Sequence, residues 1–196
     1  MKKVKKSIII VILVIVFAIV GVVVKDNVIK ILKDSISEHI TEIDNYEVLL
    51  GEDGKYKEHF NRYNDIFPNE IREDMEVQEF CYSYFNLADP CYMGYLVLKL
   101  DDEAFNQEYT RLKNLQSSEK IFIYGTTGFY YDVLAIYVDD YYGYIYALAD
   151  YENRQIIYVE LQFCNGIMDI NYYETIDEKY LPIGFDVYVE YEFLNK

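Results

Sequence analysis

Three cysteines, two histidines and a surplus of carboxylates are the side chains of this chain that could do chemistry. Their spacing decides most of what they can do. Cys81, Cys91 and Cys164, with His39 and His59, match neither paired CxxC nor HExxH, the spacings that bring zinc ligands together. Glu58 and His59 are adjacent, whereas two ligands on one helical face need a spacing of three or four. Asp101-Asp102 and Asp139-Asp140 lack the alternation of a calcium loop and read as a helix cap and a turn. Gly125-Thr126-Thr127-Gly128 has glycines but not the following Lys-Ser/Thr of a phosphate loop. No G-x-S-x-G elbow occurs. The 34 acids could supply a general acid and base, but that work needs one carboxylate in a cleft that disfavours its charge, which sequence spacing does not single out. No catalytic residue, metal or cofactor is expected.

Tyrosine is the compositional outlier, with 23 copies and no tryptophan. Tyr142, Tyr144 and Tyr146 fall on one face of a strand, and Tyr158 is placed beside them on the next strand. An amphipathic aromatic face of this kind suits contact with another protein or a saccharide, so these four residues are the candidate interaction surface. The competing reading is that a helix over 102–115 covers them.

The elements that must carry these residues follow from periodicity. Alternating or aromatic runs predict strands at 76–86, 92–100, 121–124, 132–138, 143–150, 155–163 and 186–193. Ala104, Phe105, Tyr109, Leu112 and Leu115 have the spacing of a helix after an Asp101 cap, and 52–66 predicts another short one. Asp139–Gly143 and Asp150–Arg154 read as hairpin loops, with Asn153 the left-handed residue of the second. Connections this short force antiparallel neighbours. A hairpin pairing 81–87 with 91–97 sets Cys91 opposite about residue 87, roughly 20 Å from Cys81 at 3.3 Å per residue. Both thiols are therefore expected to be unpaired, as buried small apolar groups.

Charge is divided along the chain. Lys2, Lys3, Lys5 and Lys6 precede an apolar run from Ile8 to Val24, and the remaining 14 basic and all 34 acidic groups follow it, a net of −20. With Ser7 that run spans roughly 27 Å as a helix, close to a hydrocarbon core of about 30 Å. It continues past the weak Val16/Ala18 cleavage pair without small residues at its end, so an uncleaved anchor is expected at 7–24. The lysines place residues 1–6 in the cytoplasm and the acidic remainder outside, a single-pass protein of the cell membrane. Val28, Ile29, Leu32, Ile36, Ile40 and Ile43 then recur at three and four, which predicts an amphipathic stalk helix over 25–45.

The expected fold class is α+β: a transmembrane helix continuing into the stalk, then one extracytoplasmic domain over 46–196. That domain is a mostly antiparallel meander sheet with one or two helices packed on it. An excess of acid over base argues against binding nucleic acid, whose phosphates must be neutralised by lysine and arginine. The expected function is a protein-interaction module of the cell envelope, its partner another envelope protein with a basic surface. A membrane-tethered hydrolase using carboxylates, and a structural protein self-associating through 26–45, are the alternatives.

Overall fold

A computed structural model describes residues 25, 28, 37–50, 55, 65–86, 90–139, 143–162 and 172–189. The expected membrane segment 7–24, most of the helix expected at 52–66, and Tyr142 and Cys164 lie outside them. Among the described residues no helix is long and apolar enough to cross a membrane. The chain divides into two compact units, Met1–Ser37 and Glu38–Lys196. In the first, Lys25 and Val28 are helical and exposed.

The second is built on a six-stranded sheet ordered β1-β2-β3-β6-β5-β4. The strands are β1 (Ser37–Ile40), β2 (Met75–Asn86), β3 (Pro90–Leu100), β4 (Asp132–Asp139), β5 (Gly143–Asp150) and β6 (Gln155–Gln162). The pairs β2-β3, β3-β6, β5-β6 and β4-β5 are all antiparallel. The last three strands form the expected meander. Between β3 and β4 the chain passes through helix α2 (Asp102–Lys113), while α1 (Tyr46–Leu50) and α3 (Tyr172–Thr175) are short.

Both faces of this sheet are covered. On one, Tyr82, Leu96, Leu98, Ala147 and Tyr158 pack with Tyr46, Phe67, Phe105 and Leu112 from α1, the 65–67 segment and α2. On the other, Val97, Tyr144, Tyr146, Leu148 and Val159 pack with Ile123, Tyr124, Tyr172, Tyr180 and Phe185. β5 is buried along its whole length and β6 nearly so, which is why both read as almost continuous apolar runs.

Helix α2 starts as expected: the Asp101 carboxylate accepts from Ala104 N at 2.9 Å. Acids fill its first turn, and Arg111 and Lys113 its last, matching the helix dipole. Replacing Asp101 with alanine is expected to cost about 1 kcal/mol in denaturant unfolding, the usual loss for an N-cap.

Three elements differ from the periodicity. Ser37–Ile40 is a strand and Ile43–Asn45 a 3-10 turn where a stalk helix over 25–45 is expected. Ile40 and Ile43 reach the same core through a strand and a turn, so their spacing of three fits either geometry. The expected strand 121–124 is an irregular segment ending in a turn, with Tyr124 and Gly125 at φ of +52° and +74°. Of the strand expected at 186–193, residues 190–193 lie outside the described residues; Val187–Val189 is helical, and the Asp186 carboxylate accepts from Tyr188 N at 2.9 Å, a local bond that starts a turn rather than a ladder. In the loop after β5, Asp150 accepts from Asn153 N and Nδ2, and the left-handed residue is Arg154 at φ +53° rather than Asn153.

The β2-β3 register sets Cys91 opposite Phe85 and Cys81 opposite Tyr95. The thiols are four residue levels apart, about 13 Å, beyond the roughly 7 Å reach of a disulfide. Both are buried and neither is disulfide-bonded.

The β4 side of the sheet is closed by the segment that follows α2. Ser117 Oγ accepts from Ile136 N at 3.2 Å, and Ser118 Oγ accepts from Val138 N at 2.9 Å. Ser118 N donates to Ile136 O at 2.8 Å, and Lys113 Nζ donates to Val133 O at 2.8 Å. An irregularity between Val133 and Ala135 breaks the ladder further. Two serines and a lysine satisfy groups on the outermost strand that would otherwise template another strand, and the bulge in its pairing with β5 kinks it.

Candidate functional site

Three of the four tyrosines expected to form an open face are buried. Tyr144 and Tyr146 of β5 point to one face of the sheet, opposite Leu161 and Val159 of β6. Tyr158 is opposite Ala147, one residue out of phase, and so lies on the other face. All three have no solvent exposure. The segment 121–126 and the chain from 172 to 185 cover Tyr144 and Tyr146, while α2 covers Tyr158.

Each hydroxyl in these places ties down a covering segment. Tyr144 Oη accepts from Ile123 N at 2.8 Å and lies 2.8 Å from Thr126 Oγ1. Tyr146 Oη donates to Tyr180 O at 2.8 Å. The Gly125–Gly128 loop is thereby explained as a clasp: Thr127 N donates to Ile183 O and Ile183 N to Gly128 O, bridging the loop to the C-terminal segment.

On the opposite face the tyrosine belongs to an ionic network. Arg111 grips Glu108 with two parallel bonds, Nε to Oε2 at 2.9 Å and a terminal nitrogen to Oε1 at 2.6 Å. The same guanidinium donates to the carbonyls of Asp65 and Ile66, and Tyr158 Oη donates to Glu108 Oε1. Tyr46 Oη donates to Pro68 O nearby. Burial, and then the Glu108 charge, hold the Tyr158 hydroxyl well above the usual phenol range. An open cleft of about 400 Å³ borders this network, lined by Asp65, Phe67, Asn69, Glu70, Arg72 and Arg111 among others. Both Glu108 oxygens are engaged within the protein, and the Arg72 guanidinium is paired to Asp74 at 2.9 and 3.1 Å. The network joins α2, β6 and the 65–68 segment. Sequence carried a signal for it: Glu108 stands on the buried stripe of Ala104, Phe105 and Leu112, where an acid needs a partner.

His39 of β1 sits against β2, with Nδ1 at 2.8 Å from Ser83 Oγ and 3.8 Å from Cys81 Sγ. Burial raises the Cys81 thiol above its ordinary value, opposite to the shift of a reactive cysteine. Among the described residues no three of His, Cys, Asp and Glu converge as metal ligands.

Other tyrosines stay outside, Tyr151 in the loop after β5 among them. Tyr130, Tyr173 and Tyr188 are each about half exposed, on or beside the covering segments. Phe129 packs inward on Tyr146 with ring centroids 5.2 Å apart, and Tyr130 follows it outward. Tyr172 packs inward on Phe185 at 5.4 Å, and Tyr173 follows it outward, its hydroxyl donating to Phe185 O at 2.8 Å. Sequence could not separate these inward and outward tyrosines, because the residue type suits either side of a boundary.

Burial also pushes up Tyr46, and pushes up Tyr95 to about 12, with neighbouring acid Glu79 adding to the latter. A raised folded-state value means the folded protein keeps protons that the unfolded chain releases near pH 10. Stability from these phenols is complete below pH 10 and is lost as pH rises above it. Absorbance titration of phenolate is expected to show a first, reversible group of tyrosines and a second that ionises only with loss of the near-ultraviolet dichroism.

No protein-family model, curated protein or solved structure matches this chain.

Proposed function

We propose that this is a single-pass membrane protein whose extracytoplasmic domain is an interaction module for another envelope protein. The observation that carries the reading is the exposure of aromatic and acidic side chains on the segments covering one face of the sheet, among them Tyr130, Tyr173, Glu178 and Asp186. Tyrosine gives contact area with little conformational cost, and such side chains are enriched where proteins meet. The net charge of −16 supports a partner with a basic surface, drawn in by long-range attraction. The lysines flanking an apolar run at the start of the chain support the anchor and its orientation.

Covalent crosslinking in native membranes, followed by purification of the tagged full chain and mass spectrometry, tests this. A chain ending at residue 45 is the control. A partner that requires 46–196 and whose yield falls as salt rises is the expected result. Recovery of the protein alone, or of the same partner with the control, would overturn the reading. Protease added to intact cells is expected to digest the bulk of the chain; complete protection would reverse the orientation.

A further inference from the structure

The geometry points to a binding site for copper(I) at the β1 border of the sheet, with Cys81 Sγ and His39 Nδ1 as the ligands. The site stands apart from the interaction-module reading and does not depend on it.

Two strands bring the donors together. Cys81 and Ser83 are two residues apart on β2, so their side chains take the same face, and β1 lays His39 against them. Cys81 Sγ lies 3.8 Å from His39 Nδ1, and Ser83 Oγ lies 2.8 Å from the same nitrogen. Met93 is paired with Ser83 across β2 and β3 and is buried, so a thioether side chain belongs to this face as well. Cys81 and Ser83 are buried while His39 is exposed, which makes the imidazole the side from which an ion arrives. Sequence spacing concealed the pair, because 42 residues separate its members.

Distance and charge select the metal. An ion bonded to sulfur at about 2.3 Å and to an imidazole nitrogen at about 2.0 Å closes the 3.8 Å gap at an angle of about 120°, trigonal rather than tetrahedral. A closed zinc site takes four ligands, and among the described residues no three of His, Cys, Asp and Glu converge. Copper(I) is soft, favours thiolate, thioether and imidazole, and accepts fewer ligands than zinc. Coordination displaces the thiol proton to solvent, and the thiolate with a singly charged ion is neutral, which a buried position tolerates. A divalent ion on one thiolate and one neutral imidazole would keep a positive charge beside the buried strand. The Ser83 hydroxyl, which already acts on the Cys81 sulfur to favour its anion, turns from Nδ1 to the thiolate.

The test titrates the full chain in detergent, under anaerobic reducing conditions, with copper(I) held by bicinchoninate, whose colour reports the metal it gives up. Expected is uptake of one ion per chain, with an ultraviolet thiolate-to-copper charge-transfer band and sulfur and nitrogen neighbours in X-ray absorption. Cys91→Ser combined with Cys164→Ser leaves Cys81 as the last of the three cysteines and is expected to keep this uptake. Cys81→Ser and His39→Ala are each expected to weaken it about a hundredfold, the upper range for loss of a group that only supports a ligand. Near-ultraviolet dichroism like the parent's establishes that each variant is folded, and His39→Ala, at an exposed position, keeps the test open should the buried Cys81→Ser fail to fold. No uptake by the parent chain, uptake that survives Cys81→Ser or His39→Ala, or uptake lost with Cys91 and Cys164 would overturn the site. Displacement of the copper by an equal concentration of zinc would overturn the choice of metal.

Discussion

Gly143→Ala is expected to destabilise the sheet more than any other single change in the β4-β5 hairpin. Gly143 has a φ of +114°, a conformation that L side chains rarely adopt. A Cβ there would stand 2.2 Å from Leu161 O and 3.3 Å from Leu161 C, both backbone atoms. The residue pairs at once with Asp139 of β4 and Gln162 of β6, so neither strand can yield without breaking the other ladder. Strain of this kind costs about 1–3 kcal/mol by itself, and the collision brings the loss to about 3–5 kcal/mol, against a total stability of about 5–15 kcal/mol. Gly128→Ala is the matched control. Its Cβ would meet only Ile183 Cδ1 at 3.7 Å, and a change within about 1 kcal/mol is expected. Thermal melts of the full chain in detergent, followed by near-ultraviolet dichroism, decide the comparison. A Gly143→Ala melt within a few degrees of the parent would show that the β5-β6 register is wrong.

Glu108→Ala is expected to be the most damaging change on the opposite face. The glutamate is almost completely buried, and its removal leaves the Tyr158 hydroxyl, with no solvent exposure, and one side of the Arg111 guanidinium without their acceptor. Breaking such a network from the acidic side costs about 3 kcal/mol, reduced from the fully buried case because Arg111 retains contact with water. Glu108→Gln keeps an oxygen for Tyr158 but not the charge, and is expected to lose about half as much. Tyr158→Phe alone should cost about 1 kcal/mol, and less than that in the Glu108→Ala background, because the two losses share one bond. Urea unfolding of the four proteins measures the coupling. Strict additivity would mean that the hydroxyl and carboxylate do not act on one another.

Five strands were located from sequence to within two residues, Met75–Asn86, Pro90–Leu100, Asp132–Asp139, Gly143–Asp150 and Gln155–Gln162, and the last two show most clearly why. Gly143–Asp150 and Gln155–Gln162 are bounded by turn residues and filled with β-branched and aromatic side chains, so composition and punctuation agree. Helix α2 was legible for the same reason: Asp101 caps it and Ala104, Phe105 and Leu112 mark its buried stripe. Ser37–Ile40 was not, because four residues are too few to show a period of two, and the isoleucines around them also fit a helix. Nor was the fate of the tyrosines. Tyr144, Tyr146 and Tyr158 have the composition of an open aromatic face, and their hydroxyls would serve one equally well. Which face each takes depends on a one-residue phase between β5 and β6, and which face is covered depends on where residues 172–185 return. Both are long-range facts that local pattern does not encode. The exposure of Tyr130 and Tyr173 was hidden for the same reason, since only the inward packing of Phe129 and Tyr172 turns their neighbours outward.

The serine closure beside β4 limits what the molecule can build. In polymer terms, a sheet with two free borders is a bifunctional monomer: each copy can join one neighbour on either side, and growth has no natural end. Here Ser117, Ser118 and Lys113 occupy one border from within the same chain. The functionality by this route therefore falls to one at most. Copies crowded together could pair once through their sheets and then stop, and a fibril would first have to peel away 117–118.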